Sequence, residues 1–165
     1  MTIREPEVVD LPTARGPMRC MIFRPTGEGR HPGLVLYSEI FQITAPIRRT
    51  AAFLAGHGFI VVVPEVYHEF LPAGTVLAYD QAGADKGNEL KYAKELASYD
   101  DDARAAVAFL KTHAAGNDRV AAIGICLGGH LAFRTAMLPD VSATTCFYAT
   151  DVHQGSLGKG KADNS

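Results

Sequence analysis

A chain of 165 residues with 47% hydrophobic and 21% charged side chains is long enough for one compact domain with a two-sided sheet, and too apolar for a disordered or fibrous segment. With 16 Lys and Arg against 18 Asp and Glu, the net charge of -2 gives no electrostatic reason to expect nucleic acid or an anionic membrane as partner; a small molecule is expected instead. The opening MTIREPEVVD holds no run of signal-peptide length, and the longest apolar run, Phe59 to Pro64, falls far short of the roughly 20 residues of a spanning helix.

Cys20, Cys126 and Cys146 are an odd number at wide spacing, which suits free thiols in a reducing cytoplasm and offers no metal-ligand pattern. A cytoplasmic protein with no metal and no cofactor is the expectation.

In chain order, Met18 to Arg24 and Gly33 to Glu39 are apolar stretches separated by the turn PTGEGRHPG, as two adjacent strands would be. Pro46 opens a helix whose apolar positions Ile47, Ala51, Leu54 and Ala55 recur until Gly56 and Gly58 end it. FIVVVPE follows as a strand buried on both faces. Residues 68 to 90, punctuated by Pro72, Gly74, Gly83 and Gly87, read as an irregular lid or substrate loop. From Glu89 to His113 the pattern is helical, with Ala103, Val107 and Leu110 inward and Asp100, Asp101, Arg104 and Lys111 toward water. RVAAIGI is a third buried strand, His130 to Leu138 a helix ended by Pro139, and Ala143 to Thr150 a fourth central strand, with Cys20 and Cys146 as core residues. GSLGKGKADNS has no apolar pattern and reads as a loop or disordered tail over residues 155–165. Apolar strands alternating with amphipathic helices predict an α/β fold, a mostly parallel sheet with helices on both faces.

The chemistry concentrates in Gly124-Ile125-Cys126-Leu127-Gly128-Gly129, a G-x-C-x-G-G turn between a buried strand and a helix. A strand–turn–helix that presents a nucleophile forces its central residue into strained backbone geometry, so the residues two before and two after must be small. Gly124 and Gly128 meet that demand. The turn sets the Cys126 sulfur near a helix N-terminus, which favours thiolate, and leaves the Leu127 amide free for an oxyanion. A buried structural cysteine in a glycine-rich turn is the plainer alternative.

Together with a strand ending Glu39-Ile40-Phe41, this turn resembles the dienelactone hydrolase family of the α/β-hydrolases, and Pro64-Glu65-Val66-Tyr67 is similar to the family's stretch after the next strand. The resemblance covers roughly residues 15 to 150. It implies an α/β-hydrolase fold and a carboxylic ester hydrolase of the carboxymethylenebutenolidase class. It implies Cys126 as nucleophile with Glu39 contacting it at rest, oxyanion-hole amides at Ile40 and Leu127, and a substrate loop at Tyr67, His68 and Glu69.

The family's acid and histidine follow its seventh and eighth strands, whereas this sequence is expected to stop after the sixth of the family's strands. The expectation is one α/β-hydrolase domain lacking its last strands, weak or inactive by itself, with a sheet edge open to self-association. Asp151 and His153 match neither family motif and are read as loop residues. The family's substrate-holding Arg has no counterpart in YHEFLPAGT, and Glu69 there would repel an anionic lactone, so among small-molecule esters and lactones an uncharged one is at least as plausible a partner as dienelactone. Two other readings stay open: a flavodoxin-fold cysteine protein like the DJ-1 and PfpI-like proteins, and a non-catalytic fragment that keeps the fold.

Overall fold

The computed structural model describes residues 2–161 and 163. Six strands form one sheet in the order β1-β2-β4-β3-β5-β6. β1 (Glu7–Thr13) and β2 (Gly16–Phe23) form an antiparallel hairpin, and β2 runs antiparallel to β4 (Ile60–Pro64). From β4 the sheet continues in parallel through β3 (His31–Tyr37) and β5 (Gly116–Ile125) to β6 (Val141–Phe147). Four helices accompany them: α1 (Ala45–Gly56), α2 (Gln81–Ala93), α3 (Leu96–Thr112) and α4 (Leu127–Thr135). This is the mostly parallel α/β sheet expected from the sequence, with helices on both faces.

The unbroken apolar stretches of β3 and β4 follow from the covering of both faces. Val35, Tyr37, Ile60 and Val62 point toward Ala106, Val107 and Leu110 of α3 and Leu127 and Leu131 of α4, in the larger core. Their neighbours Leu34, Leu36, Val61 and Val63 point the other way, toward Ile47, Ala51 and Ala55 of α1. Successive side chains of a strand alternate faces, so a strand buried on both sides must be apolar throughout.

Five features differ from the sequence expectation. The strands expected to be neighbours, β2 and β3, are separated by β4, because the chain crosses over through α1 before returning to pair with both. The segment expected to be irregular to residue 90 turns helical at Gln81, capped by Asp80, whose carboxylate accepts from the Gly83 amide at 2.8 Å. Gly83 and Gly87 are there for close packing: a Cβ on Gly83 would fall 2.0 Å from the Ala78 carbonyl oxygen, and one on Gly87 2.7 Å from that of Ile40. The helical stretch from 89 to 113 is two helices, broken where Lys94 leaves helical geometry.

β6 is an edge strand, so Cys146 lies exposed and not in the core, with Phe147 45% and Tyr148 78% exposed beyond it. The 155–165 segment is not a bare tail in its described residues. Leu157 is buried in the larger core, and the Lys159 amide donates to the Lys94 carbonyl at 2.8 Å. Residues 162, 164 and 165 of that expectation lie outside the described ones.

Lys94 itself is fully buried. Its Nζ donates to Asp102 at 2.6 Å, to Glu69 at 2.9 Å and to the Val66 carbonyl at 2.8 Å, while His68 Nε2 meets the other oxygen of Asp102 at 3.0 Å. Removing the cation leaves buried carboxylates without compensation, which typically costs about 3–5 kcal/mol. Lys94→Ala is therefore expected to lower unfolding free energy by about that amount, read as a fall in urea midpoint at constant m-value.

Candidate active site

Tyr37 of β3 pairs with Gly124 of β5. Two residues beyond each partner of that pair stand Glu39 and Cys126, so parallel register brings the two sequence-predicted turns to the same end of neighbouring strands. The join is tight. A Cβ on Gly124 would fall 1.8 Å from the Gly128 carbonyl oxygen, and one on Gly128 2.3 Å from that of Tyr37 and 2.6 Å from that of Ser38. Gly129 faces the loop after β6, where a Cβ would stand 2.9 Å from Ala149 Cα. Any of these side chains would force α4 off the sheet.

Cys126 occupies the tip of the turn at φ 59° and ψ -118°, a conformation that costs a non-glycine residue and persists only where surroundings impose it. They do so from both sides: its amide donates to Phe147 O at 3.0 Å, and its carbonyl accepts from Gly129 at 3.0 Å and from Thr150 at 3.3 Å. The thiol is half-buried. Leu127 is the first residue of α4, so its N–H has no partner within the helix. Among the described residues neither it nor the Ile40 N–H donates to a backbone acceptor.

Glu39 does not hydrogen-bond to the sulfur. Its carboxylate accepts from the Tyr79 hydroxyl at 2.6 Å, and the same hydroxyl lies 3.0 Å from Thr44 Oγ1. Burial, and then the adjoining Glu39 carboxylate, raise the Tyr79 pKa, so the phenol stays protonated and donates. The Tyr79 ring packs on Phe41 at 4.5 Å, and the Leu77 amide donates to Phe41 O at 3.1 Å, so residues 77–79 strap the Glu39–Phe41 turn. An open groove beside this hydroxyl is lined by Ile43, Thr44, Arg48, Arg49 and Val76. Positive charge thus does border the site, from α1 and not from the loop after β4.

The expected substrate loop faces inward. Tyr67 is fully buried, its hydroxyl donating to Gly87 O at 2.9 Å; burial first, then the Cys126 sulfur, push its pKa upward, which puts ring and thiol within electrostatic reach. His68 and Glu69 are committed to Asp102 and Lys94, and Glu69 also accepts from Ser98 at 2.5 Å. Burial opposes ionisation of Glu69, but Ser98 and Lys94 outweigh it and hold the carboxyl below its ordinary range. The Lys94 ammonium lies 2.9 Å from Glu69 but is shared with Asp102 at 2.6 Å, so it offsets the Glu69 charge only in part.

Two buried clusters escaped sequence reasoning. His130, fully buried one turn into α4, directs Nε2 to Asp163 at 2.5 Å, while Arg134 pairs with Asp163 and forks onto both oxygens of Asp100 at 2.9 Å. His130 and Arg134 share a helix face by their four-residue spacing, a signal visible in the sequence. Nothing in the sequence linked them to Asp163. Asp151 ion-pairs with Lys91 of α2 at 2.7 Å and His153 is exposed; neither hydrogen-bonds to the Cys126 thiol.

The profile of the Dienelactone hydrolase family matches residues 18–162. The chain belongs to that family. Over 162 residues it is 41% identical to the "Putative carboxymethylenebutenolidase" of Saccharomyces cerevisiae, covering 94% of this chain and 59% of that protein. The carboxymethylenebutenolidase of Pseudomonas putida is 27% identical over 123 residues, covering 74% and 52%. A dienelactone hydrolase-like promiscuous phosphotriesterase from metagenomic libraries superposes with a TM-score of 0.70 at 22% identity, covering 90% of this chain and 59% of that one. The chain thus spans little more than half the length of these relatives. Family membership favours the dienelactone hydrolase resemblance over the flavodoxin-fold alternative.

Burial alone would raise the Asp151 pKa, but the Lys91 ammonium beside it lowers it below the usual carboxylate value. A depressed folded-state pKa stabilises fully above the ordinary Asp value of about 3.9 and is lost as pH falls through the folded value. Asp151→Asn should therefore be less stable than the parent near neutral pH, with the gap between their unfolding midpoints closing only below about pH 4.

Proposed function

We propose that this chain carries the nucleophile and oxyanion site of a thiol hydrolase of carboxylic esters or lactones. The observation behind this reading is Cys126 at its strained tip, with the amides of Leu127 and Ile40, which among the described residues donate to no backbone acceptor. The Cys126 thiolate attacks the acyl carbon, and the carbonyl oxygen becomes an oxyanion that accepts from those two N–H groups. The C–O bond then breaks, the departing alkoxide takes a proton, and a thioester at Cys126 remains for water to hydrolyse. Glu39, restrained by Tyr79, follows β3, the strand paired with the one that leads to Cys126.

Among the described residues no histidine hydrogen-bonds to the Cys126 thiol: His31, His57, His68, His113 and His130 each turn a ring nitrogen to another partner, and His153 is exposed. An unassisted thiol with pKa near 8.5 is only a few per cent thiolate at neutral pH, and losing a triad base typically costs about 10⁴- to 10⁶-fold in turnover. At neutral pH the 165-residue chain should give a p-nitrophenyl ester burst at Cys126 with negligible turnover, and Cys126→Ala should remove the burst. Absence of any burst, with Cys126 inert to alkylation from about pH 6 to 9, would leave only a non-catalytic fold. Robust turnover abolished by Cys126→Ala would overturn the missing base.

The same reading makes the partner a small ester or lactone, acting in the cytoplasm, and leaves the edge of β6 to a second copy. Its sequence, VSATTCF, has no charge or proline to discourage pairing. Light scattering should show concentration-dependent self-association, and a Thr145→Lys substitution should reduce it; a monodisperse monomer at all concentrations would refute this.

A further inference from the structure

We infer that Gly87, in the middle of α2, is a positioning residue for the Ile40 amide of the proposed oxyanion site; the inference rests on the thiol-hydrolase reading above. Glycine disfavours a helix interior, and Gly87 is not at positive φ, so conformation does not explain it. Space does. A Cβ at this position would lie 2.7 Å from Ile40 O, 2.8 Å from Ile40 Cβ and 3.1 Å from Ile40 Cγ1. The helix backbone rests directly on the residue whose N–H the chemistry uses.

Other contacts complete the clamp. Gly87 O accepts the Tyr67 hydroxyl at 2.9 Å from within the core, which ties this turn of α2 to the loop after β4. On either side of Ile40, Tyr79 holds Glu39 at 2.6 Å and the Leu77 amide holds Phe41 O at 3.1 Å. With its neighbours pinned, Ile40 cannot yield to a new side chain on α2 without reorienting, and its N–H moves with it. An oxyanion donor acts over a narrow range, about 2.7–3.1 Å from the developing charge, and losing one outright costs about 10²- to 10³-fold.

The test separates oxyanion chemistry from thiol reactivity in the full 165-residue chain carrying Cys146→Ser, which removes the exposed competing thiol. At about pH 9, where a free thiol ionises, the p-nitrophenolate burst measures acylation of Cys126 through a tetrahedral anion. Iodoacetamide alkylates the same sulfur by displacing iodide, with no oxyanion. Gly87→Ala should lower the ratio of acylation to alkylation rate about tenfold or more while alkylation stays near the parent rate. Tyr67→Phe, which removes only the tie to Gly87 O, should lower that ratio severalfold, and it decides the matter if Gly87→Ala does not melt cooperatively. An unchanged ratio in folded variants overturns the role of Gly87 alone. A parent chain with no burst overturns the thiol-hydrolase reading and this inference with it.

Discussion

A side chain at Gly124 or Gly128 would fall inside neighbouring main chain, so the start of α4 rests on the carbonyls of Tyr37 and Ser38 with nothing between. That contact sets the site. It bends the chain sharply enough to leave Cys126 at positive φ, presents the Leu127 amide at the head of the helix, and holds both beside the turn that leaves β3. The strain at Cys126 survives because its own amide and carbonyl are bonded to the loop after β6 and to the next turn of helix.

The surroundings of this join are organised by buried charge. Lys94, Asp102, Glu69 and His68 form one network under the loop after β4, and His130, Asp163, Arg134 and Asp100 form another behind α4. Buried ions are tolerated only when paired and hydrogen-bonded, so these residues fix geometry more than they add stability. They also remove His68, Glu69 and His130 from the pool of groups free to act on substrate. Nearby charge that remains open to solvent comes from Arg48 and Arg49 on α1.

Where a local pattern has one physical cause, the sequence was legible. Continuous apolar runs in β3 and β4, the helix from Pro46, and the G-x-C-x-G-G turn were all readable because burial on two faces, helical period and steric demand each leave a direct mark. Glycines misled where they had two meanings. Gly83 and Gly87 look like loop punctuation, yet they let α2 approach Ala78 and Ile40. Contacts across long separations were not readable: Lys94 with Glu69, Lys91 with Asp151 and His130 with Asp163 become partners only through the crossover topology. Cys146 failed for a related reason, since an apolar strand at a sheet edge has the same sequence as one in its middle.

Lys94 joins its surroundings in two ways at once, through its ammonium to Val66, Glu69 and Asp102 and through its main-chain carbonyl to Lys159. A single lysine thereby couples the loop after β4, the first turns of α3 and the segment beyond β6. Evolution cannot alter one member of this set alone without stranding a charge in the interior, so replacements here should occur as concerted exchanges, with the positions varying as a block across related sequences.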